Sequence, residues 1–338
     1  MSTRRILSGM RPTGRLHLGH YVGVLVNWLS MQEENDCFFF AADWHALTTG
    51  WQDTSELREN TRQLVLDWLS VGIDPNKATI FVQSAVPEIA ELQLLLGMIT
   101  PKKWLETNPT VKEQAQELHL EETFSIGHLN YPVLQTADIL AVKGEFVPIG
   151  KDQLPHLEIS RDIARRFNHT YGDVFPEPQP KLTETPLLQG LDGRKMSKSY
   201  GNSIYLSDSP ETIAARVKDA ITDPSRIRKT DPGHPEICNV FKYYQVFAPA
   251  MEALVAQECR EAQIGCVACK KRFADVLSEA LAPIRERRGH WEARPQDLIE
   301  IVAEGNRKAR KEAQGVLAEV REAMKLNIWT PEGVAART

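Results

Sequence analysis

No apolar run in these 338 residues approaches the roughly 20 needed to span a bilayer, and no stretch of signal-peptide length follows the Arg4-Arg5 pair. That excludes a membrane partner at this level and makes the cytoplasm the expected location. Cysteine is scarce, at five residues, and without an export signal structural disulfides are disfavoured. Internal repeats and low-complexity segments are missing too, so a repeat architecture is not expected.

What remains is ordinary globular material, 42% hydrophobic and 25% charged, enough for two packed units. The net charge of −5 is uneven. Residues 1–190 carry 16 Lys/Arg against 24 Asp/Glu, and residues 191–338 carry 24 against 21. An acidic half joined to a mildly basic one permits a nucleic-acid partner along the second half, although plain solvated helices would look the same.

The hydrophobic pattern alternates strand and helix. Residues 5–8 read as a strand that runs into Gly9 and a Pro12-Thr13-Gly14 turn, with a helix from Leu18 to about Met31. The runs Phe38–Ala42 and Thr79–Gln83 read as buried strands on either side of a helix from Ser55 to Val71 that Gly72 ends. Further helices are expected from Pro87, after Pro155 and from Pro210, where Ser209 precedes the proline as a cap. The fold class is therefore α/β, a parallel sheet over residues 1–190 with a loop and linker to about 205, then a helical region over 206–338.

Two short motifs carry the first chemistry. His17-Leu18-Gly19-His20 opens the first helix after the first strand, where backbone N–H groups and imidazoles can meet a phosphate chain and Gly19 allows close approach. Lys195-Met196-Ser197-Lys198-Ser199 follows Asp192-Gly193-Arg194 in a loop that can close over a substrate. Taken singly, each has a plainer alternative: a loop with surface histidines, and a solvated basic turn. Taken together, they resemble the HIGH and KMSKS signatures of class I aminoacyl-tRNA synthetases. The resemblance implies a Rossmann-like catalytic domain with ATP between the signatures and Mg²⁺ among the phosphates. It makes His17, His20, Lys195 and Lys198 the catalytic candidates, and adds Arg11, Thr13, Gly19, Met196, Ser197 and Ser199 as ATP contacts.

A third constellation bears on the amino acid. In Tyr131-Pro-Val-Leu-Gln135-Thr-Ala-Asp138, helical spacing puts Tyr131, Gln135 and Asp138 on one face of an otherwise apolar segment. A carboxylate there needs a donor, from a protein cation or from a ligand. The segment resembles the tryptophan-binding helix of tryptophanyl-tRNA synthetases, with Asp138 accepting from the indole N–H, Tyr131 and Gln135 beside the ring and Gly9 also at the substrate. A site that hydrogen-bonds a ring group can reject an analogue lacking it by roughly 10⁴-fold, so phenylalanine is excluded without editing. Similarity along residues 147–168 implies that Val147 and Ile149 wall the indole pocket and that Gly150, Asp152 and Gln153 approach the adenosine. Two positions depart from the family pattern: Arg11 stands where many members have Gln, and Gln135 where many have Met.

Cys238, Cys259, Cys266 and Cys269 supply four soft donors with intervals of 20, 6 and 2 residues. A [4Fe-4S] cluster, a structural Zn²⁺ and unmetallated thiols all remain open from the spacing, while a subset of the bacterial family carries a [4Fe-4S] cluster with closely similar spacing, the first interval here being slightly shorter. Cys37, in an apolar run, reads as a core residue. Arg285, Arg287, Arg288, Arg307, Lys308, Arg310 and Lys311 are candidate tRNA phosphate contacts, with solvated helix faces as the plainer reading of each. The resemblance implies an anticodon-binding role for residues 206–338, tRNA(Trp) and L-tryptophan as partners, and a homodimer. Tyrosyl-tRNA synthetase is the nearest rival, and a HIGH-motif nucleotidyltransferase that does not act on tRNA is the rival from another class.

Overall fold

The computed structural model describes residues 4–108, 125–150, 153–182 and 188–326. Five parallel strands form one sheet in the order β3-β2-β1-β4-β5: β1 Arg5–Met10, β2 Asp36–Ala41, β3 Ala78–Val82, β4 Phe146–Ile149 and β5 Gln179–Leu182. The register aligns Leu7 with Phe38 and Phe38 with Thr79 on one side of β1, and Ile6 with Phe146 on the other. Strand order reverses at β1, which leaves a crevice beyond the carboxyl ends of β1, β2 and β4 where ligands bind in sheets of this kind.

Both faces of the sheet are buried, which explains why β2 reads as the unbroken run Cys37-Phe-Phe-Phe-Ala41. Alternate residues enter different cores. Ile6, Cys37 and Phe39 meet Trp28 and Trp68 on one face, with Trp28 stacked on Phe39 at 4.1 Å. Leu7, Phe38, Phe40 and Phe81 lie on the other.

The first helical stretch, α1, comprises Leu18–His20, a π turn at Tyr21–Leu25 and Val26–Met31. Next come α2 Asp43–Gly50, α3 Leu57–Val71, α4 Glu88–Ile99, α5 Lys102–Thr107, α6 Ile126–Leu129, α7 Tyr131–Ala141 and α8 Leu154–Tyr171. After β5 the described elements are helical: α9 Pro210–Asp219, α10 Asn239–Phe247, α11 Glu252–Arg260, α12 Cys266–Glu292 and α13 Pro295–Ala323. Ser209 caps α9 as expected, its hydroxyl accepting the Thr212 N–H at 3.2 Å. The first core runs on into these helices through Tyr244, Phe273 and Leu277, and the second is completed by Ala309, Ala313 and Val316 of α13. Sequence periodicity did not reveal that α13 returns to the sheet and lies along β3. Among the described residues no helix is long and apolar enough to cross a membrane.

Candidate active site

The first motif sits at the carboxyl end of β1. Gly9 is open to the crevice, and a Cβ there would fall 2.4 Å from the Phe40 ring, so only glycine leaves that space. Beyond it Arg11 donates to Thr49 Oγ1 at 2.6 Å. The backbone of Leu16–Leu18 is held on one side by Ile204–Leu206: Leu18 N–H donates to Ile204 O at 2.9 Å, and Leu206 N–H donates to Leu16 O at 3.0 Å. His17 and His20 stack with ring centroids 3.7 Å apart. Burial lowers both, His17 to about 4 and His20 to about 3, with Lys198 adding to the effect on each and His17 adding to that on His20. They are neutral imidazoles at pH 7. His17 Nδ1 is buried without a hydrogen-bond partner among the described residues.

The second motif folds around Asn202, which is buried. Its Oδ1 accepts the Ser197 N–H at 2.9 Å, and its Nδ2 donates to Asp192 Oδ1 at 2.7 Å and to Lys195 O at 3.1 Å. The hydroxyls of Ser197 and Ser199 are 2.9 Å apart, and the Gly19 N–H meets Met196 Sδ at 3.3 Å. Lys198 Nζ donates to Thr13 O at 2.7 Å. The structure thus brings the two signatures together, with Met196 and Lys198 touching the first and Lys195 exposed beside them.

Asp138 is fully buried in α7, and burial raises its carboxyl above the ordinary range. Its oxygens are held by His45 Nε2 at 2.9 Å and by Gln83 Nε2 at 2.8 Å, so its partners are an imidazole and a carboxamide rather than a lysine or arginine. Gln83 follows β3 and His45 lies in the first turn of α2, just past β2, so the carboxylate meets groups leaving the carboxyl ends of two strands. Gln83 Oε1 also accepts the Trp44 and His45 N–H groups at 3.1 and 3.3 Å, which fixes its orientation. Tyr131 is buried, its hydroxyl 2.6 Å from His156 Nε2, and its ring lies edge-on to His45 at 6.4 Å. Gln135 stays partly exposed on a helix otherwise buried. His45 and Gln83 escaped the sequence reading. Their signal was positional, since both stand just past strand ends.

On the far side of β1, β4 buries Val147 and Ile149 in the core that also holds Leu134 and Ala137 of α7. Gly150 and Gln153 form the turn into α8, with the Gln153 N–H donating to Gly150 O at 3.0 Å. Asp152 lies outside the described residues.

Cys238 precedes α10, Cys259 is near the end of α11, and Cys266 and Cys269 occupy the first turn of α12. Burial pushes the Cys238, Cys259 and Cys269 thiols up, Cys269 to about 11, and the neighbouring thiols of the set add to it. Among the described residues no three such side chains converge closely enough to hold a single metal ion. Several of the basic candidates are engaged within the protein. Arg287 Nε donates to Ser70 O at 2.6 Å, Arg288 is buried against Asp67, and Arg310 pairs with Glu88 at 2.8 Å. Lys311 is exposed.

Residues 2–282 match the family described as tRNA synthetases class I (W and Y). Among curated relatives, the tryptophan–tRNA ligase of Thermotoga maritima is 51% identical, covering 95% of this chain and 99% of its own length. That of Aquifex aeolicus is 47% identical, covering 95% and 100%. Among solved structures, the tryptophanyl-tRNA synthetase of Campylobacter jejuni complexed with ADP and tryptophan superposes with a TM-score of 0.87 at 33% identity, over 95% of this chain and 99% of that one.

Proposed function

This chain belongs to the class I tRNA synthetases of the W and Y family, and from its likeness to the tryptophan members we infer that it activates L-tryptophan with ATP and transfers it to tRNA(Trp). The observation that carries the choice of amino acid is Asp138, a carboxylate sunk beside the crevice and oriented by His45 and Gln83 without a cationic side chain of the Lys or Arg type. Each of its oxygens keeps a lone pair for one more donor, which the indole N–H supplies.

The tryptophan carboxylate, ionised at neutral pH, needs no general base. It attacks the α-phosphorus, the bond to the bridging oxygen breaks, and pyrophosphate leaves. The protein's work is positioning and charge stabilisation. His17 and His20 donate as neutral imidazoles, Lys195 and Lys198 meet the charge spreading over phosphate oxygens, and the closed loop excludes water. Arg11, Thr13, Gly19, Gly150, Asp152, Gln153, Met196, Ser197 and Ser199 line the nucleotide, while Gly9, Tyr131, Gln135, Val147 and Ile149 enclose the ring. Mg²⁺ arriving with ATP supplies counter-charge. The tRNA terminal hydroxyl then attacks the adenylate carbonyl and AMP leaves. Exchange of pyrophosphate into ATP should depend on tryptophan and not on tyrosine, and bulk tRNA should accept labelled tryptophan; tyrosine-dependent exchange would overturn the assignment.

The finer readings are proposals. Residues 1–190 form the catalytic unit and 206–338 the anticodon-binding unit of a cytoplasmic enzyme. A homodimer is supported by α4, where Leu94 and Met98 lie exposed on a helix that is apolar on most sides. Cys238, Cys259, Cys266 and Cys269 hold a [4Fe-4S] cluster, with Zn²⁺ the alternative. Supporting this, Cys238 accepts the Val240 and Phe241 N–H groups, and Cys266 and Cys269 lie in the first turn of α12, both of which offset part of the burial that pushes the thiols up. The group would lock the helices that meet tRNA. Iron and sulfide in anaerobically purified protein is the expected result, and stoichiometric zinc without iron would refute the cluster.

A further inference from the structure

Asp67 stands in the apolar run Leu64-Val65-Leu66-Asp67-Trp68-Leu69 of α3 and is 1% exposed. Its two oxygens are divided between distant parts of the chain. Oδ2 accepts the backbone N–H of Leu16, the residue before His17, at 2.7 Å. Oδ1 accepts from Arg288 Nη1, near the end of α12. The rest of that guanidinium is also committed, Nη2 to Gln63 Oε1 and Nε to Glu292 Oε1 at 2.9 Å.

Leu16 is thereby held by both of its backbone polar groups. Its carbonyl is fixed by Leu206, just beyond the second signature, and its N–H by the buried carboxylate. A buried ion pair is a poor way to add stability, because apolar residues of similar size often serve as well or better, so the presence of this one calls for a different role. The adjoining Arg287, donating to Ser70 O at the carboxyl end of α3, keeps α12 in line with α3 and so keeps Arg288 in place. The charge of Asp67 also reaches Lys198, which puts it within electrostatic range of the nucleotide site.

We propose that Asp67, oriented by Arg288, is a positioning residue for the reaction: it fixes the Leu16 backbone, and through it the His17 and His20 imidazoles, so that helix α12, far along the chain, sets the geometry of the ATP site. This rests on the reading above that the two histidines meet ATP. Arg288 is the orienting partner, because only a planar fork can bind Asp67, Gln63 and Glu292 together.

Three variants test it by tryptophan-dependent pyrophosphate exchange alongside thermal unfolding. Arg288→Lys keeps a positive charge but loses the fork that joins Asp67 to Gln63 and Glu292; positioning predicts a several-fold lower kcat with KM for tryptophan unchanged, and a native kcat would overturn the proposal. The double variant Asp67→Asn/Arg288→Met removes both buried charges but keeps an acceptor for Leu16, whereas Asp67→Leu/Arg288→Met removes the acceptor too. The expected order of kcat is native, then the Asn form, then the Leu form at a loss of roughly 10- to 100-fold, because small misplacements near reacting groups are costly. Equal kcat in the two double variants, or losses that follow the melting temperature alone, would overturn it. Should the unaltered enzyme show no tryptophan-dependent exchange, the functional reading fails instead, and the two failures are told apart.

Discussion

Lys198 Nζ donates to the carbonyl of Thr13 at 2.7 Å and lies 3.3 Å from its hydroxyl, joining the second signature to the turn before the first across 185 residues. Burial in this crevice lowers its amine to about 8. The amine is charged below that pH and neutral above it. For free enzyme, kcat/KM for ATP should therefore decline as pH rises through about 8, and Lys198→Arg should move that limb out of range. A pH profile of pyrophosphate exchange checks this, and a flat profile to pH 10 in the unaltered enzyme would contradict it.

His17 and His20 behave in the opposite sense at the acid end. Their protonation is suppressed in the fold, to about 4 and about 3, against 6.5 for a free imidazole. The unfolded chain thus takes up protons first as pH falls. Their contribution to stability is fully present above 6.5 and is lost as pH drops toward 4. His17→Asn should flatten the fall in melting temperature between pH 6.5 and 4 relative to the unaltered protein. His17→Ala, which removes the ring donor outright, should lower kcat roughly 10²- to 10³-fold, the usual cost of removing a donor to transition-state charge.

For Asp138, removing the carboxylate should act on one substrate alone. Asp138→Ala deletes the acceptor for the indole N–H and leaves His45 and Gln83 without their partner. KM for tryptophan should rise roughly 10- to 100-fold, as expected for a hydrogen bond to a charged group, while KM for ATP stays within about twofold. Steady-state exchange with each substrate varied in turn reads this directly. A matching rise in both KM values would place Asp138 in the fold rather than at the ring.

The parts of this site that could be read from sequence are those whose neighbours are close along the chain. The alternation of apolar runs marked β1, β2 and β3, and Ser209-Pro210 marked the start of α9, because caps and periodicity are local properties. Asp138 was legible because a carboxylate among apolar residues is conspicuous. Asp67 carries the same mark, within Leu64–Leu69, yet its partners Leu16 and Arg288 lie 51 and 221 residues away, and no local pattern points to them. His45 and Gln83 were hidden for a related reason, since each acquires meaning only when strand order brings two strand ends together. Two basic residues of α12 show the same limit from the other side. Charge on a helix is read as surface charge, but Arg287 and Arg288 are turned onto α3 by packing that composition does not encode.

The return of α13 to the sheet makes a final prediction. β3 is an edge strand, and exposed edges invite pairing with other chains. Here α13 covers it. Asn306 Oδ1 accepts the Val82 N–H at 2.9 Å, and Gly305 approaches so closely that a Cβ would fall 1.8 Å from the carbonyl oxygen of Ile80. Because that oxygen belongs to the backbone of a paired strand, it cannot step aside, and the helix must lift instead. Gly305→Ala should cost about 1–3 kcal/mol or more, the range for overpacking, despite the helix propensity alanine would add. Asn306→Leu keeps the branched shape but strands the Val82 N–H, at about 1–3 kcal/mol. Urea unfolding measures both, and light scattering during the transition should increase most for Gly305→Ala, where the edge is uncovered. If Gly305→Ala instead unfolds at the native urea midpoint, α13 does not seat on β3 as closely as this packing requires.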